Sequence, residues 1–180
     1  PVPPRMMKAF QDMGIQILAG YGMTEGANLS SANYNVDKKP HSMGMIYPDQ
    51  EYRIVDGELW IKGDNVMVGY YNDPEKTAEV LHDGYHHTGD VAWRDEDGFY
   101  WYVGRVDDVI KSSGYRIGPF EIESVIMELP YVLECGVSAA PDEVRGQVVK
   151  ASIVLVAGTE GTDELKKEII EHKDVLSNYD

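Results

Sequence analysis

Three short stretches combine residue types suited to a phosphorylated ligand. Gly20-Tyr21-Gly22-Met23-Thr24-Glu25 sets two glycines, which let a backbone approach a ligand closely, beside an aromatic ring, a hydroxyl and a carboxylate. Thr24 can donate to a phosphate oxygen, Glu25 can hold Mg2+, and the face of Tyr21 can carry a base. Taken alone, the run also reads as a glycine-rich loop with a helix cap, and it is not a P-loop, because the Gly-Lys-Ser/Thr ending is absent. Thr88-Gly89-Asp90 offers a carboxylate that can accept from both hydroxyls of a ribose, although Asp after Gly is also ordinary turn chemistry. The third stretch holds Arg105, Asp107, Asp108, Lys111, Gly114, Tyr115 and Arg116. Between Gly104 and Phe120 three positive and two negative charges leave +1, so an anion is tolerated there, with a surface salt-bridge network as the alternative. His86-His87 is a poor metal pair, because neighbours on a strand point to opposite faces and no cysteine is near.

The elements that must position these residues follow from periodicity and turn chemistry. A helix is expected from about Pro3 to Met13, with Met6, Phe10 and Met13 on one face and Gly14 as a left-handed cap. A strand Ile15 to Ala19 should follow and deliver the Gly20–Glu25 loop at its carboxyl end, where ligands bind in open α/β sheets. From Tyr52 the pattern turns to short alternating strands. Asp56-Gly57 joins Tyr52–Val55 to Glu58–Lys62 as a two-residue hairpin, and Asp95 to Gly98 joins Val91–Arg94 to Phe99–Val103. Together they suggest a small antiparallel sheet or barrel over about Gly44 to Gly104.

After Gly104 comes a polar, glycine-bearing loop with a possible extra hairpin. Pro119 then opens a helix whose Ile122, Val125, Ile126 and Leu129 share a face, ended by Pro130. Two apolar strands, near Val132–Ala140 and Gln147–Val156, and a helix from about Thr162 to Leu176 complete a second small α/β unit. The fold class is thus mixed α/β (α+β), with a boundary near Arg105.

The chain has 180 residues, 43% of them hydrophobic, and a formal charge of −15. That balance argues for a folded protein and against DNA, RNA or an anionic membrane as partner. The single cysteine, Cys135, excludes an intramolecular disulfide and a cysteine metal cluster, and reads as a buried small hydrophobe. The longest apolar stretch, Ala151 to Ala157, is too short to cross a bilayer, and no signal-peptide core is present, so a cytoplasmic protein without membrane insertion is expected.

Taken in order, the motifs resemble the adenylate-forming superfamily of acyl-CoA synthetases, luciferases and peptide-synthetase adenylation domains. They are Tyr21 to Glu25, Gly57-Glu58-Leu59-Trp60-Ile61-Lys62-Gly63 with Gly69-Tyr70-Tyr71-Asn72, Asp83 to Asp90, and Gly104-Arg105-Val106-Asp107-Asp108 through Pro119-Phe120-Glu121-Ile122-Glu123. The text from Val144 to Ala151 and from Glu164 to Glu168 is most similar to the acetyl-CoA and medium-chain acyl-CoA synthetase branch. The resemblance implies residues 1–104 as the end of a large AMP-binding domain with its β-barrel subdomain, residues 105–180 as an incomplete small C-terminal domain, and a hinge at 105–108.

It also implies a reaction: ATP activates a small carboxylic acid as acyl-adenylate, and the thiol of coenzyme A then displaces AMP, with ATP/AMP, Mg2+ and coenzyme A as the small molecules handled. Tyr21 would lie against adenine with Gly22 beside it, Thr24 at the α-phosphate, Glu25 at Mg2+, and Asp90 and Arg105 at the ribose. Asp107 would be the hinge, Gly114 would allow passage of the pantetheine arm, and Arg116 would reach phosphate. Because acetate-restricted relatives carry a bulky aromatic at the Gly22 position, glycine is expected to leave an acyl pocket open to longer or aromatic acids. An aryl-CoA ligase, an amino-acid adenylation domain and a noncatalytic nucleotide-binding remnant are the alternatives. The resemblance further implies a phosphate loop upstream and a catalytic lysine loop downstream. With neither matched here, and with Pro1 in place of an initiator methionine, the chain is expected to be a fragment that does not form acyl-adenylate by itself.

Overall fold

The structure, a computed structural model, describes residues 4–35, 38, 39 and 41–172. It divides into two compact units, 1–107 and 108–180.

The first unit opens with helix α1 (Pro4–Asp12), close to the expected span, but Met6 and Met13 of its anticipated apolar face are half or more exposed. The expected strand at Ile15–Ala19 is absent: this stretch is irregular, and Ile15 and Leu18 are about half exposed. A β ladder needs a partner backbone, and among the described residues only Ala19 meets one, accepting from the Asn33 amide at 2.7 Å. The strand lies one step later, in the supposed loop. β1 (Gly20–Met23) pairs antiparallel with β2 (Asn28–Ala32) around a 3-10 turn at Thr24–Gly26, and β2 pairs with β3 (Met45–Ile46).

A curled antiparallel sheet follows. β4 (Gln50–Val55) and β5 (Glu58–Gly63) meet through Asp56 and Gly57, whose φ values of 50° and 84° give the tight turn that Asp-Gly encodes. A helix that periodicity did not suggest, α2 (Pro74–Val80), is started by Pro74 and by the Asp73 side chain, which accepts from the Lys76 amide at 2.9 Å. β6 (Leu81–His82) turns at Asp83-Gly84 into the long β7 (Tyr85–Arg94), which also pairs with β5 and with β8 (Tyr100–Arg105). The core beneath holds Met43, Tyr52, Leu59, Ile61, Ala92 and Tyr100. Tyr100 ties the two sheets of this unit together, accepting from the Met43 amide and donating to the Gly44 carbonyl.

In the second unit, β9 (Ile110–Ser112) and β10 (Tyr115–Ile117) form the extra hairpin, turning at Ser113 and Gly114 with φ of 48° and 89°. Helix α3 (Pro119–Ile126) starts at the expected proline. β11 (Val132–Asp142) pairs with β12 (Gly146–Leu155), giving a sheet of order β10-β9-β12-β11. Helix α4 (Asp163–Ile170) is capped by the Thr162 hydroxyl and ends earlier than expected; residues 173–176 of the anticipated helix lie outside the described residues. Ile110, Ile117, Ile122, Ile126, Leu129, Val132 and Ile169 form the core, each contributing roughly 1.5–3 kcal/mol on burial. Cys135 packs partly buried against it, and burial pushes its thiol pKa up. Among the described residues, no helix is long and apolar enough to cross a membrane.

Candidate functional site

The polar centre of the first unit is an irregularity in β7. Along β5 the register passes from Trp60↔His87 to Glu58↔Val91, so β7 carries extra residues at Thr88-Gly89-Asp90. Gly89 takes a φ of +69°, and a Cβ there would lie 2.7 Å from Nη2 of Arg105. Glycine therefore serves both the bulge and the close passage of the guanidinium. Two contacts fix the bulge to β5: the Thr88 hydroxyl donates to the Leu59 carbonyl at 2.6 Å, and the Gly89 amide donates to Glu58 Oε1 at 2.8 Å; within the bulge, Thr88 Oγ1 also accepts from the Asp90 amide at 3.0 Å.

This frame presents Asp90, which is buried, to two partners far away in sequence. The Tyr21 hydroxyl donates to Asp90 Oδ2 at 2.5 Å, and Arg105 Nη1 donates to Asp90 Oδ1 at 3.1 Å and to the Thr88 carbonyl at 2.7 Å. Strand pairing places Arg105 directly opposite Asp90, which makes the contact a cross-strand ion pair. Burial, then the charge and hydrogen bond of Asp90, raise the Tyr21 pKa far above the usual phenol range, so the hydroxyl stays a donor. Burial acts to lower the Arg105 pKa, but Asp90 outweighs it and the net movement is upward. Tyr21 stands edge-on to Tyr52, with ring centroids 6.4 Å apart, so its ring is also anchored in the core.

Glu25 lies beyond β1 on the 3-10 turn. Tyr70 donates to its Oε1 at 2.8 Å, and this bond, followed by one from the backbone, holds the carboxyl below the usual range. The nearby His86 and Arg105 lower its pKa a little further. Thr24 is exposed on the same turn. Asp107 is exposed, with Oδ1 3.6 Å from Arg105 Nε.

The structure thus brings Tyr21, Asp90, Arg105 and Asp107 together, with Glu25 nearby. In the second unit, Lys111 and Arg116 are directly paired across the β9–β10 hairpin, and Lys111, Gly114 and Arg116 are all exposed.

Gly22 also has a backbone role: a Cβ at this position would lie 1.6 Å from the Asn28 carbonyl oxygen, so the missing side chain makes room for the irregular β1–β2 pairing.

Sequence reasoning also missed three contributors. Glu58 clamps the bulge, Tyr70 steadies Glu25, and His86 is buried with an unpartnered Nδ1 and a pKa lowered by burial. The partners of Glu58 and Tyr70 lie far off in the chain, and no local pattern announces such pairs. A cleft of about 270 Å3 between β5 and the β6–β7 turn is lined by Ile61, Val66, Leu81 and His86 among others. None of Tyr21, Asp90 and Arg105 lines it, and it lacks their carboxylate–cation pairing.

Known proteins are similar to this chain in sequence and fold. Residues 1–71 match the family described as AMP-binding enzyme, and residues 121–175 match the AMP-binding enzyme C-terminal domain. The mouse mitochondrial acyl-coenzyme A synthetase ACSM3 is 38% identical over 191 residues, covering 96% of this chain and 33% of its own length. The o-succinylbenzoate CoA synthetase MenE of Bacillus subtilis, solved with the acyl-adenylate intermediate OSB-AMP, superposes with a TM-score of 0.83 at 29% identity, over 96% of this chain and 38% of that one. The same enzyme solved with ATP and a magnesium ion gives 0.80 at 30% identity, over 96% and 38%. The chain therefore spans about a third of the length of the relatives it matches. With both family matches in the family's own order, and with relatives that are acyl-CoA synthetases, the chain belongs to the adenylate-forming, AMP-binding enzymes.

Proposed function

We propose that the protein containing this chain is an AMP-forming acyl-CoA synthetase, which joins a carboxylic acid to ATP as an acyl-adenylate and passes the acyl group to coenzyme A. The carrying observation is the Tyr21–Asp90–Arg105 constellation, assembled on a bulge that glycine and Thr88 hold in place. In this reading Asp90 accepts from the ribose hydroxyls, and Arg105 orients that carboxylate. Asp90 Oδ2 is already engaged by Tyr21, so a ribose hydroxyl takes over the hydrogen bond as the Tyr21 ring turns to the base.

Carboxylates are poor electrophiles, and attaching the oxygen to a phosphate makes it a leaving group. The residues of this chain contribute positioning more than acid–base chemistry: the nucleotide is held so that its α-phosphorus meets the acid. Thr24 donates to the α-phosphate. Glu25 is ionised, has one oxygen engaged by Tyr70, and suits a hard cation that prefers oxygen ligands. When bound, Mg2+ screens the triphosphate charge. In the second unit, Gly114 leaves room for the pantetheine arm and Arg116 supplies charge to a phosphate, while Asp107 is the hinge residue between the two half-reactions. Residues 1–104 and 105–180 are then the end of the large domain and part of the small one, and the protein is cytoplasmic.

An aryl-CoA ligase is the second reading, favoured by the similarity to an o-succinylbenzoate CoA synthetase. The test is pyrophosphate–ATP exchange by the full-length protein over a panel of aliphatic and aromatic acids. Acid-dependent exchange that falls at least about a hundredfold in Asp90→Ala is expected. Absence of exchange with every acid would defeat the proposal, and the acid giving the highest rate separates the two readings.

A further inference from the structure

We propose that the β6–β7 hairpin carries a transition-metal site, in which His82, Asp83 and His87 hold a divalent ion of the zinc, nickel or copper type. Neighbouring His86 and His87 point to opposite faces, but the register His82↔Tyr85 puts His82, Tyr85 and His87 on one face of the hairpin. Asp83 occupies the turn itself, where it and Gly84 have φ of 54° and 80°. One ligand atom from each of His82, Asp83 and His87 lies within 4.8 Å of the other two.

The groups are already in contact. His82 Nδ1 is 3.1 Å from Asp83 Oδ2, and the two imidazole centroids are 3.5 Å apart with planes tilted by 35°. His87 rests on Trp60, with ring centroids 3.9 Å apart, and its Nε2 is buried without a hydrogen-bond partner. One ligand is thus held by packing, while His82 and Asp83, with side chains 44% and 72% exposed, are free to swing. A tetrahedral ion with bonds of about 2.1 Å draws its ligands to roughly 3.4 Å from one another. His82 therefore leaves the stack so that its in-plane lone pair meets the ion, and the remaining position takes water.

Two imidazoles with one carboxylate select zinc, nickel and copper over magnesium and calcium, so this site is chemically distinct from the hard-cation role proposed for Glu25. A chain charge of −15 adds a field that gathers cations.

Zn2+ is titrated calorimetrically into the 180-residue chain at neutral pH, and Cu2+ quenching of tryptophan fluorescence is followed in parallel. One saturable equivalent of Zn2+ is expected, undisturbed by a large excess of Mg2+. His82→Ala and His87→Ala should each weaken it by at least about tenfold. Trp60→Phe should keep the Zn2+ affinity while losing most of the quenching. His82 is exposed, so its variant decides the outcome even if His87→Ala fails to fold. An isotherm unchanged in His82→Ala, a loss of affinity on replacing His41 and His172 instead, or no saturable binding would overturn the site.

Discussion

The two units hold their candidate functional residues by different means. In the first, Tyr21, Asp90 and Arg105 are locked to one another and to a bulge clamped by Thr88 and Glu58, so each side chain is set by several long-range contacts. In the second, Lys111, Gly114 and Arg116 stand exposed on a hairpin rooted in an aliphatic core. The Lys111 amide donates to Gln147 Oε1 at 2.7 Å, but among the described residues no hydrogen bond or ion pair holds the side chain of Lys111 or Arg116. The first arrangement is preorganised and sensitive to any missing partner; in the second, the backbone alone sets position and the side chains are adaptable.

Substitutions sharpen that contrast, and the largest effect belongs to Gly22→Ala. Its Cβ would overlap a backbone carbonyl that cannot rotate away, so the first unit should lose about 3 kcal/mol or more. All the tryptophans, Trp60, Trp93 and Trp101, lie in this unit, and their fluorescence in a urea titration reports the loss directly. Next comes Asp90→Ala, which strands the Tyr21 hydroxyl and leaves Arg105 only the Thr88 carbonyl and the exposed Asp107. About 2 kcal/mol by the same measurement is expected, reduced from a fully buried pair because Arg105 is half exposed. Gly114→Ala meets nothing within 4 Å and suffers only from its left-handed backbone. It should cost about 1 kcal/mol, seen in far-UV circular dichroism, with tryptophan fluorescence unmoved.

A subtler probe of the interlocked unit is its outlying ion pair, Lys39–Asp95, at 2.6 Å. Burial pushes the Asp95 carboxyl up, but Lys39, the Trp101 indole and the Phe99 amide outweigh it and hold the pKa at about 2. Because the folded value is depressed, the contribution to stability is complete above the ordinary aspartate pKa near 4 and is lost as pH falls through about 2. Lys39→Met should move the Asp95 titration, followed by carboxyl carbon NMR, up towards that ordinary value. A midpoint that stays at about 2 would show that the other two donors suffice. Smallest of all, Arg116→Ala should change stability by no more than about 0.5 kcal/mol. A larger loss would mean that the hairpin of the second unit is tied as tightly as the bulge of the first.

Features set by neighbouring residues were legible in the chain. Asp56-Gly57 encodes its own turn, Pro119 with the spacing of Ile122 and Ile126 encodes α3, although the helix ends at Ile126, short of Leu129 and Pro130, and the Ser113-Gly114 region turned as its composition suggested. Ile15–Ala19 misled because an apolar run becomes a strand only beside a partner backbone. The backbone reason for Gly22 was not legible, because it lies in the carbonyl of Asn28 across a ladder. His86 and His87 were set apart by a reading along one strand, and the hairpin brings His82, which that reading did not include, to the face of His87.

By itself, then, the sequence determined the local pieces, the turn chemistry, and through its ordered motifs the family. The tertiary structure alone decided which groups meet: Tyr21 with Asp90 across 69 positions, Tyr70 with Glu25 across 45, and Glu58 with the Gly89 amide across 31. Turns and helix starts are short-range energies, written in adjacent residues. A carboxylate's partners are chosen by strand register and by the cost of leaving a buried charge unpaired, and neither exists until the chain has folded.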